Sequence, residues 1–147
     1  MVDRANIYNS LSVIRDKSRL SGQPNGCPFC DFKADNNRLI RSTKYFHLIY
    51  NKFPYQWWDL QSVKHHYLLV PKRHVESLHE LNKAERQEHA DITADYAQKG
   101  FSVYTRATSN PIKSVPHLHT HLIKGGGRKT RSKIILVLSR LGVRIIR

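Results

Sequence analysis

The segment Val115-Pro116-His117-Leu118-His119-Thr120-His121-Leu122-Ile123 carries a histidine at every second position. In a β-strand, successive side chains point to opposite faces of the sheet. If the segment is a strand, its three imidazoles project from one face about 7 Å apart, while Leu118, Thr120 and Leu122 face the other way. Such a row of imidazoles can bind a metal, attack a phosphorus centre or relay protons near neutral pH.

The composition indicates one globular domain. The chain has 147 residues, of which 39% are hydrophobic and 24% are charged, and this length suits one domain rather than two. No apolar stretch approaches the length needed to span a bilayer, and the first residues lack the apolar core of a signal peptide. We therefore expect a cytoplasmic protein with no membrane span.

The charge is strongly positive and unevenly distributed. Lysine and arginine number 25 against 11 acidic residues, which gives a formal net charge of +14. A field of this sign favours anionic partners such as nucleotides, nucleic acids or an anionic membrane surface. From Lys124 onward there are eight basic residues and no acidic one. We expect residues 125–147 to form a basic tail that either binds polyanions, nucleic acid among them, or increases solubility.

The two cysteines lie close together, as Cys27 and Cys30 in Gly26-Cys27-Pro28-Phe29-Cys30. A structural disulfide is disfavoured in a cytosolic protein, which leaves half a zinc site or a redox pair. A redox pair is expected after a strand and at the start of a helix, but the residues that follow, 31–37, are typical of a turn. The context favours zinc.

The rest of the chain alternates helical and extended patterns. Residues 4–20 have the apolar spacing of an amphipathic helix, and 76–98 predict a longer helix that Gly100 ends. Strands are predicted at 38–41, 44–50, 66–70 and 101–105, with a loop at 51–59 and flexible glycines at 125–127. Residues 134–146 predict either a hairpin around Gly142 or a basic helix. This order favours an α+β fold with an antiparallel sheet.

Several segments resemble the histidine triad (HIT) superfamily of nucleotide hydrolases and transferases. The histidine run is similar to the family's signature, and the segment from His66 to His74 resembles its strand and turn ending in Pro-Lys-x-His. Asn51-x-Phe53-Pro54-Tyr55 resembles the nucleoside-contacting turn of the diadenosine polyphosphate phosphorylases. These matches span residues 27 to 124 in the family's order. The resemblance implies a HIT-like antiparallel sheet of about five strands, an N-terminal helix and one long central helix. The domain would occupy 1–124, with the helix and a linker in 1–25.

The resemblance also implies a catalytic mechanism. His119 would attack the α-phosphate and form a covalent nucleotidyl-histidine, and His121 would contact phosphate oxygens or the leaving group. A neutral imidazole is a competent nucleophile when its other nitrogen is held by a hydrogen bond. Ser114 matches the small hydroxyl residue that precedes the signature in many members. Donors at Ser114 and Val115 would stabilise charge on the non-bridging oxygens.

Substrate contacts are implied at Asn51 and His66, which would line the nucleotide pocket. The segment between Tyr55 and His66 is several residues longer than in close relatives, so Asp59 rivals Asn51 as the partner of the ribose. The glycine-containing stretch that usually precedes the signature is replaced by residues 108–113. This replacement affects the expected phosphate contacts more than the nucleophile.

The resemblance implies a structural zinc ion as cofactor. Galactose-1-phosphate uridylyltransferases and bacterial HIT proteins bind zinc through positions that correspond here to Cys27, Cys30, His74 and His117. Two thiolates and two imidazoles form a closed tetrahedral set without an open position for water. The ion would join the cysteine segment to the sheet.

Three functions follow as hypotheses. The first is a nucleotidyl hydrolase or transferase acting on nucleoside phosphates or dinucleoside polyphosphates, of the phosphoramidase or dinucleoside polyphosphate-cleaving type. The second is an enzyme that removes adenylate or cap groups from nucleic-acid ends, which the basic tail favours. The third is a nucleotide-binding protein without turnover. Relatives are usually homodimers, so the resemblance also implies a homodimer.

Overall fold

The protein was analysed as a computed structural model that describes residues 26–32, 37–59, 61–111, 113–129, 135–139 and 142–146. The helix predicted over residues 4–20 lies outside these residues. The described part is α+β, as the sequence predicts, and the sheet is antiparallel throughout. None of its helices has the length and hydropathy required to cross a membrane.

The main sheet has six strands rather than about five. In chain order, they are β1 (Leu39–Ser42), β2 (Phe46–Tyr50), β3 (Trp57–Trp58), β4 (Gln61–Pro71), β5 (Ser102–Thr105) and β6 (Thr120–Lys129). Five of them lie in the order β1-β2-β4-β6-β5, and the two-residue β3 pairs with β4. The additional strand β3 comes from the segment predicted as a loop, where the backbone of Trp57 and Trp58 pairs with Ser62 and Gln61.

Among the described residues there is one α-helix, α1 (Lys83–Gln98), and it is shorter than the helix predicted over 76–98. Asn82 and Glu85 form a capping box at its start, in which each side chain accepts a hydrogen bond from the other's backbone N–H. This cap fixes the first helical residue. The preceding residues Leu78–Glu80 form a 3-10 turn instead. At the other end Gly100 adopts a φ of 81°, so the expected glycine stop is confirmed.

Different parts of the chain pack against the two faces of the sheet. Leu69, Leu118 and Leu122 belong to the main core, together with residues of α1 such as Ile92. Leu68 and Val70, which alternate with Leu69 along β4, pack instead with Phe29 and Phe32 of the cysteine segment. One face therefore packs against α1, and the other face carries the cysteine segment.

The histidine run is only partly a strand, which corrects the expectation. β6 begins at Thr120, opposite Leu69 of β4, so His117 and His119 precede it. The carbonyl of Pro71, at the end of β4, accepts a hydrogen bond from the His117 ring. The alternation of faces nevertheless holds, because Leu118 and Leu122 enter the main core.

The glycines at 125–127 are part of a strand and not the flexible connection we expected. β6 crosses residue 124, where we placed the end of the domain, and pairs with β4 as far as Lys129 opposite Gln61. A Cβ on Gly125 would lie 2.5 Å from the Gln61 side-chain oxygen, so glycine permits this close approach. Further on, β7 (Ile135–Ser139) pairs with β8 (Gly142–Ile146) in an antiparallel two-stranded sheet. Of the two alternatives for this region, the hairpin is correct.

Candidate functional site

Four buried histidines define the candidate site on the sheet face that carries the cysteine segment. His66 comes from β4, His121 from β6, and His117 and His119 from the residues before β6. All four are at most 6% exposed. The ring of His121 lies 5.1 Å, between centroids, from the ring of His119 and also 5.1 Å from that of His66. The sequence placed three of these side chains on one face and His66 in the expected pocket, and the pairing of β4 with β6 brings His66 beside His121.

The His119 ring is oriented by a backbone contact. Its Nδ1 lies 2.8 Å from the carbonyl oxygen of His117, and because a carbonyl only accepts, Nδ1 carries the proton. Burial lowers the pKa of His119 to about 4, so the ring is neutral at pH 7. Its lone pair is then on Nε2.

A chain of hydrogen bonds fixes the protons of the other two rings. The backbone N–H of Tyr55 donates to Nδ1 of His66 over 3.0 Å, so this nitrogen is unprotonated and Nε2 of His66 carries the proton. Nε2 of His66 lies 2.8 Å from Nδ1 of His121 and donates to it. Nε2 of His121 therefore carries the remaining proton. Burial is the main cause that lowers the pKa of His66 to about 3.

The Nε2–H of His121 is the end of this chain. The atom is buried and has no hydrogen-bond partner among the residues that the structure describes. Burial first, and then the neighbouring histidines and Arg106, lower the pKa of His121 well below its usual range. A buried N–H donor without a partner is costly, which makes this group a candidate contact for a ligand acceptor.

Arg106 contributes positive charge to the site, and the sequence analysis did not identify it. Its guanidinium donates to the Tyr55 hydroxyl over 2.7 Å and to the Tyr104 hydroxyl over 3.3 Å. The residue directly follows β5, which pairs with the histidine strand through Thr105 and Thr120. An arginine directly after the strand predicted at 101–105 was a usable signal. The pairing of this strand with β6, which brings Arg106 to the site, was not known from the sequence.

Aromatic rings form one wall of the site. Tyr55 stacks on His121 with centroids 5.5 Å apart, and on Trp58 with centroids 5.8 Å apart. Trp58 also contacts Tyr104, with centroids 5.3 Å apart. The longer segment after Tyr55 thus forms this wall through Trp58.

The structure places the other predicted site residues as follows. Asn51 Nδ2 lies 3.2 and 3.4 Å from the two ring nitrogens of His66, and its side-chain oxygen accepts from the backbone of Phe53. Its rival Asp59 is exposed and has a φ of 48°. Ser114 is half-buried and Val115 is buried, both just before the histidines. Within the described part of the chain no side-chain hydrogen bond occupies the Ser114 hydroxyl.

A second cluster lies beside the histidines. Cys27, Cys30, His74 and His117 each offer one ligand atom, and all four atoms lie within 4.8 Å of one another. Sγ of Cys27 is 3.2 Å from Nδ1 of His117, and Sγ of Cys30 is 3.2 Å from Nδ1 of His74. The structure therefore brings together all four residues predicted as metal ligands.

The model of the HIT domain matches residues 36–128, more than half of the chain. The chain belongs to the HIT domain family. No curated protein matched it.

Solved HIT structures share the fold. A HIT family hydrolase from Legionella pneumophila Philadelphia 1 is 22% identical, with a TM-score of 0.51, over 72% of this chain and 97% of that one. A HIT family hydrolase from Clostridium thermocellum is 21% identical, with a TM-score of 0.52, over 73% and 96%. Diadenosine triphosphate hydrolase of Plasmodium falciparum is 16% identical, with a TM-score of 0.52, over 84% and 85%.

The four-residue cluster of Cys27, Cys30, His74 and His117 fits a metal ion. Its two cysteines lie N-terminal to the residues matched by the HIT domain. Nε2–H of His117 donates to the carbonyl of Pro71 over 2.9 Å, which leaves Nδ1 as the donor atom that faces the cysteines. The 3.2 to 3.5 Å between sulfur and nitrogen atoms are up to a few tenths of an ångström shorter than the roughly 3.6 Å between a sulfur and a nitrogen ligand of a tetrahedral zinc ion. Two thiolates and two imidazoles are a donor set that zinc prefers.

Phe29 links the cysteine pair to the HIT histidines. It stands between Cys27 and Cys30, and its ring lies 5.6 Å from the ring of His117 and 5.4 Å from that of His119. The side chain therefore contacts both a candidate metal ligand and the histidine whose Nε2 bears a lone pair. The cysteine segment thus packs directly against the histidine site.

Proposed function

We propose that the protein is a nucleotidyl hydrolase or transferase that acts on nucleoside phosphates or dinucleoside polyphosphates through a covalent nucleotidyl-histidine. One observation carries the proposal. Nδ1 of His119 is engaged by the His117 carbonyl, so the Nε2 lone pair is available as the nucleophile, and the donor group of His121 lies on the adjacent ring. The diadenosine triphosphate hydrolase with the same fold agrees with this substrate class.

In the proposed reaction Nε2 of His119 attacks the α-phosphorus. The N–P bond forms as the bond between phosphorus and the leaving oxygen breaks, and its electron pair stays on that oxygen. Water, phosphate or another acceptor then attacks the same phosphorus, the new P–O bond forms as the N–P bond breaks, and the N–P electron pair returns to His119. When water is the acceptor, its proton passes to the solvent. The Nε2–H of His121 donates to an oxygen of the reacting group, which stabilises the charge that develops there.

The remaining predicted residues assist this reaction. Ser114 and Val115 precede the nucleophile and offer hydroxyl and backbone donors to the non-bridging oxygens. Asn51 contacts the substrate from the loop before β3. His66 acts chiefly through its hydrogen bond to His121 and holds that ring in the required tautomer. We thus propose that His66 positions the His121 ring, in addition to lining the nucleotide pocket as the resemblance implies.

We further propose that Cys27, Cys30, His74 and His117 bind a structural zinc ion. When bound, zinc supplies a cross-link between the cysteine segment, the turn after β4 and the residues before β6. Four protein ligands leave no coordination position for water. The supporting observation is the convergence of four donor atoms, with Nδ1 of His117 held toward the cysteines.

Trapping of the adduct tests the function. The zinc-loaded protein is mixed briefly with diadenosine triphosphate, quenched and analysed by intact-mass and peptide mass spectrometry. We expect an added adenylate on the peptide that contains His119, and neither adduct nor mononucleotide release from His119→Asn. His79→Asn changes an exposed histidine and serves as the matched control. Unchanged turnover by His119→Asn would refute the proposal.

The net charge of +14 favours a second candidate, in which the substrate is an adenylated or capped nucleic-acid end. Binding of an oligonucleotide should then weaken steeply with salt, because each phosphate contact releases counterions. Salt-insensitive binding argues against it. The homodimer stays a prediction, which light scattering of the zinc-loaded protein can test.

A further inference from the structure

Arg106 is a cation beside the histidine site that the proposed reaction does not yet use. Its guanidinium donates to the hydroxyls of Tyr55 and Tyr104, and its guanidinium carbon lies 5.3 Å from the centre of the Tyr104 ring. Among the described residues Arg106 forms no ion pair with a carboxylate, in contrast to Arg73, which pairs with Glu85. The half-buried charge of Arg106 is therefore not neutralised by a described carboxylate.

The surroundings of Arg106 make an anion the natural ligand. Tyr55, which accepts a hydrogen bond from Arg106, stacks on His121, and Tyr104 also contacts the ring of His121, with centroids 5.8 Å apart. The guanidinium and the unpartnered Nε2–H of His121 thus share the same aromatic wall. Planar guanidinium groups bind phosphate through paired hydrogen bonds.

The hydrogen-bond chain restricts what His121 can do for a leaving group. Nδ1 of His66 accepts from the Tyr55 backbone, so the proton on Nε2 of His66 is the only one that this ring holds. If His121 gave up its Nε2 proton, either its own ring or that of His66 would become an imidazolate. His121 is therefore a hydrogen-bond donor and not a proton source.

Leaving groups differ in whether they need a proton. A phosphate or nucleotide departs as an anion, because its charge is spread over several oxygens and its second pKa is about 6. An amine must be protonated as it departs, which requires a general acid. The neutral His66–His121 pair can donate a hydrogen bond but no proton, and Arg106 supplies positive charge, so the site suits a leaving group that departs as an anion.

We propose that Arg106 binds a phosphate group adjacent to the phosphorus that His119 attacks, and that the site thereby selects pyrophosphate linkages over phosphoramidates. The inference rests on the proposed function and specifies its substrate class. In the reaction the P–O bond of the pyrophosphate breaks, and its electron pair leaves with the phosphate that Arg106 and His121 hold.

Two adenosine substrates test the proposal on the zinc-loaded, full-length protein. We expect a higher kcat/KM for diadenosine triphosphate than for adenosine 5′-phosphoramidate. Arg106→Gln should lower kcat/KM for the triphosphate by about 10- to 100-fold, the effect of losing a charge-assisted contact, and should change that for the phosphoramidate by less than about 3-fold. Arg106→Lys, which keeps the charge without the planar fork, should be intermediate.

Two variants serve as controls. Arg41→Gln removes the same charge from an exposed position on β1, three strands away from β6, and should leave both substrates unaffected. Tyr55→Phe removes a hydroxyl that Arg106 contacts but keeps the arginine. If Arg106 only supported Tyr55, Tyr55→Phe would reproduce the selective loss; we expect a smaller effect that is equal for both substrates.

A binding measurement gives a second readout without turnover. In a His119→Asn background, calorimetry should show that Arg106→Gln weakens ADP binding by about 10- to 100-fold and leaves AMP binding nearly unchanged. Equal losses for both nucleotides, or a wild-type preference for the phosphoramidate, would overturn the inference alone. Failure of the wild type to cleave either substrate or to form the adduct would instead overturn the proposed function.

Discussion

The ring of Phe29 packs against the ring of His119 with centroids 5.4 Å apart. Phe29 lies between the two cysteines, so the candidate metal site and the candidate nucleophile share one packed contact. His119 is thus oriented from two sides, by the carbonyl of His117 at Nδ1 and by Phe29 at the ring. Precise placement of a reacting group contributes strongly to rate, which makes this contact testable.

Phe29→Ala should lower kcat by about 10-fold, since small displacements of a nucleophile are costly. The zinc content should stay that of the wild type, because the four ligands are unchanged. Phe32→Ala is the control, as Phe32 belongs to the same segment but contacts His47 rather than His119. Steady-state kinetics with metal analysis of both variants checks the prediction, and equal kcat values for Phe29→Ala and wild type would contradict it.

Removal of one ligand should abolish stoichiometric metal binding. We expect about one zinc ion per chain in the wild type and a large loss in Cys30→Ser, because a serine hydroxyl is a poor zinc ligand. The melting temperature should also fall, since the ion joins separate parts of the chain. Mass spectrometry of the metal and thermal denaturation measure the two effects. Ser77→Ala, a change outside the cluster, is the control; full zinc occupancy in Cys30→Ser would refute the assigned ligand set.

His66→Asn should lower kcat more than it raises KM. Without the donor at Nε2 of His66, the His121 ring is free to adopt the other tautomer, in which Nε2 carries no proton. Removing one donor to a developing charge typically lowers kcat by about 100-fold. The fold should persist, as judged by circular dichroism. His65→Asn alters the neighbouring residue on the opposite face and is the control. An effect confined to KM would show that His66 only contacts substrate.

The half-buried ring of His89 should make stability depend on pH. Burial lowers the pKa of His89 below 6.5, so below pH 6.5 the unfolded chain binds a proton that the folded protein does not. The free energy of unfolding therefore decreases as the pH falls through this range, by at most about 1.4 kcal/mol per pH unit for one group.

His89→Gln isolates this contribution. Wild type and variant carry the same metal ligands, so the difference between them cancels the effect of metal release. Urea denaturation at pH 7.5 and pH 5.5 should show a smaller loss of stability in His89→Gln than in the wild type. An identical loss in both proteins would exclude His89 as a source of the pH dependence.

The sequence predicted the elements whose pattern is local. The strand predicted at 66–70 within β4, the glycine that ends α1 and the separation of leucines from histidines in the run 117–122 depend only on neighbouring residues. The start of α1 was wrong because the capping box of Asn82 and Glu85 competes with a longer helical pattern. The strand β3 was missed because two tryptophans have no periodicity, and pairing with β4 determines their conformation.

The sequence alone determined the residue types that make this chemistry available: alternating imidazoles, a pair of cysteines and a HIT-like order of motifs. Tertiary structure decided which nitrogen of each ring bears its proton, because that depends on the Tyr55 N–H and on the carbonyls of His117 and Pro71. It also decided that Arg106 contacts the two tyrosines that pack on His121, since β5 reaches the histidine strand only through long-range pairing. The bonds from the Tyr55 N–H and to the Pro71 carbonyl join residues 11 and 46 positions apart, and such pairs have no signature in local sequence. The bond from His119 to the His117 carbonyl is local, but it forms only in the backbone conformation that the folded chain imposes before β6.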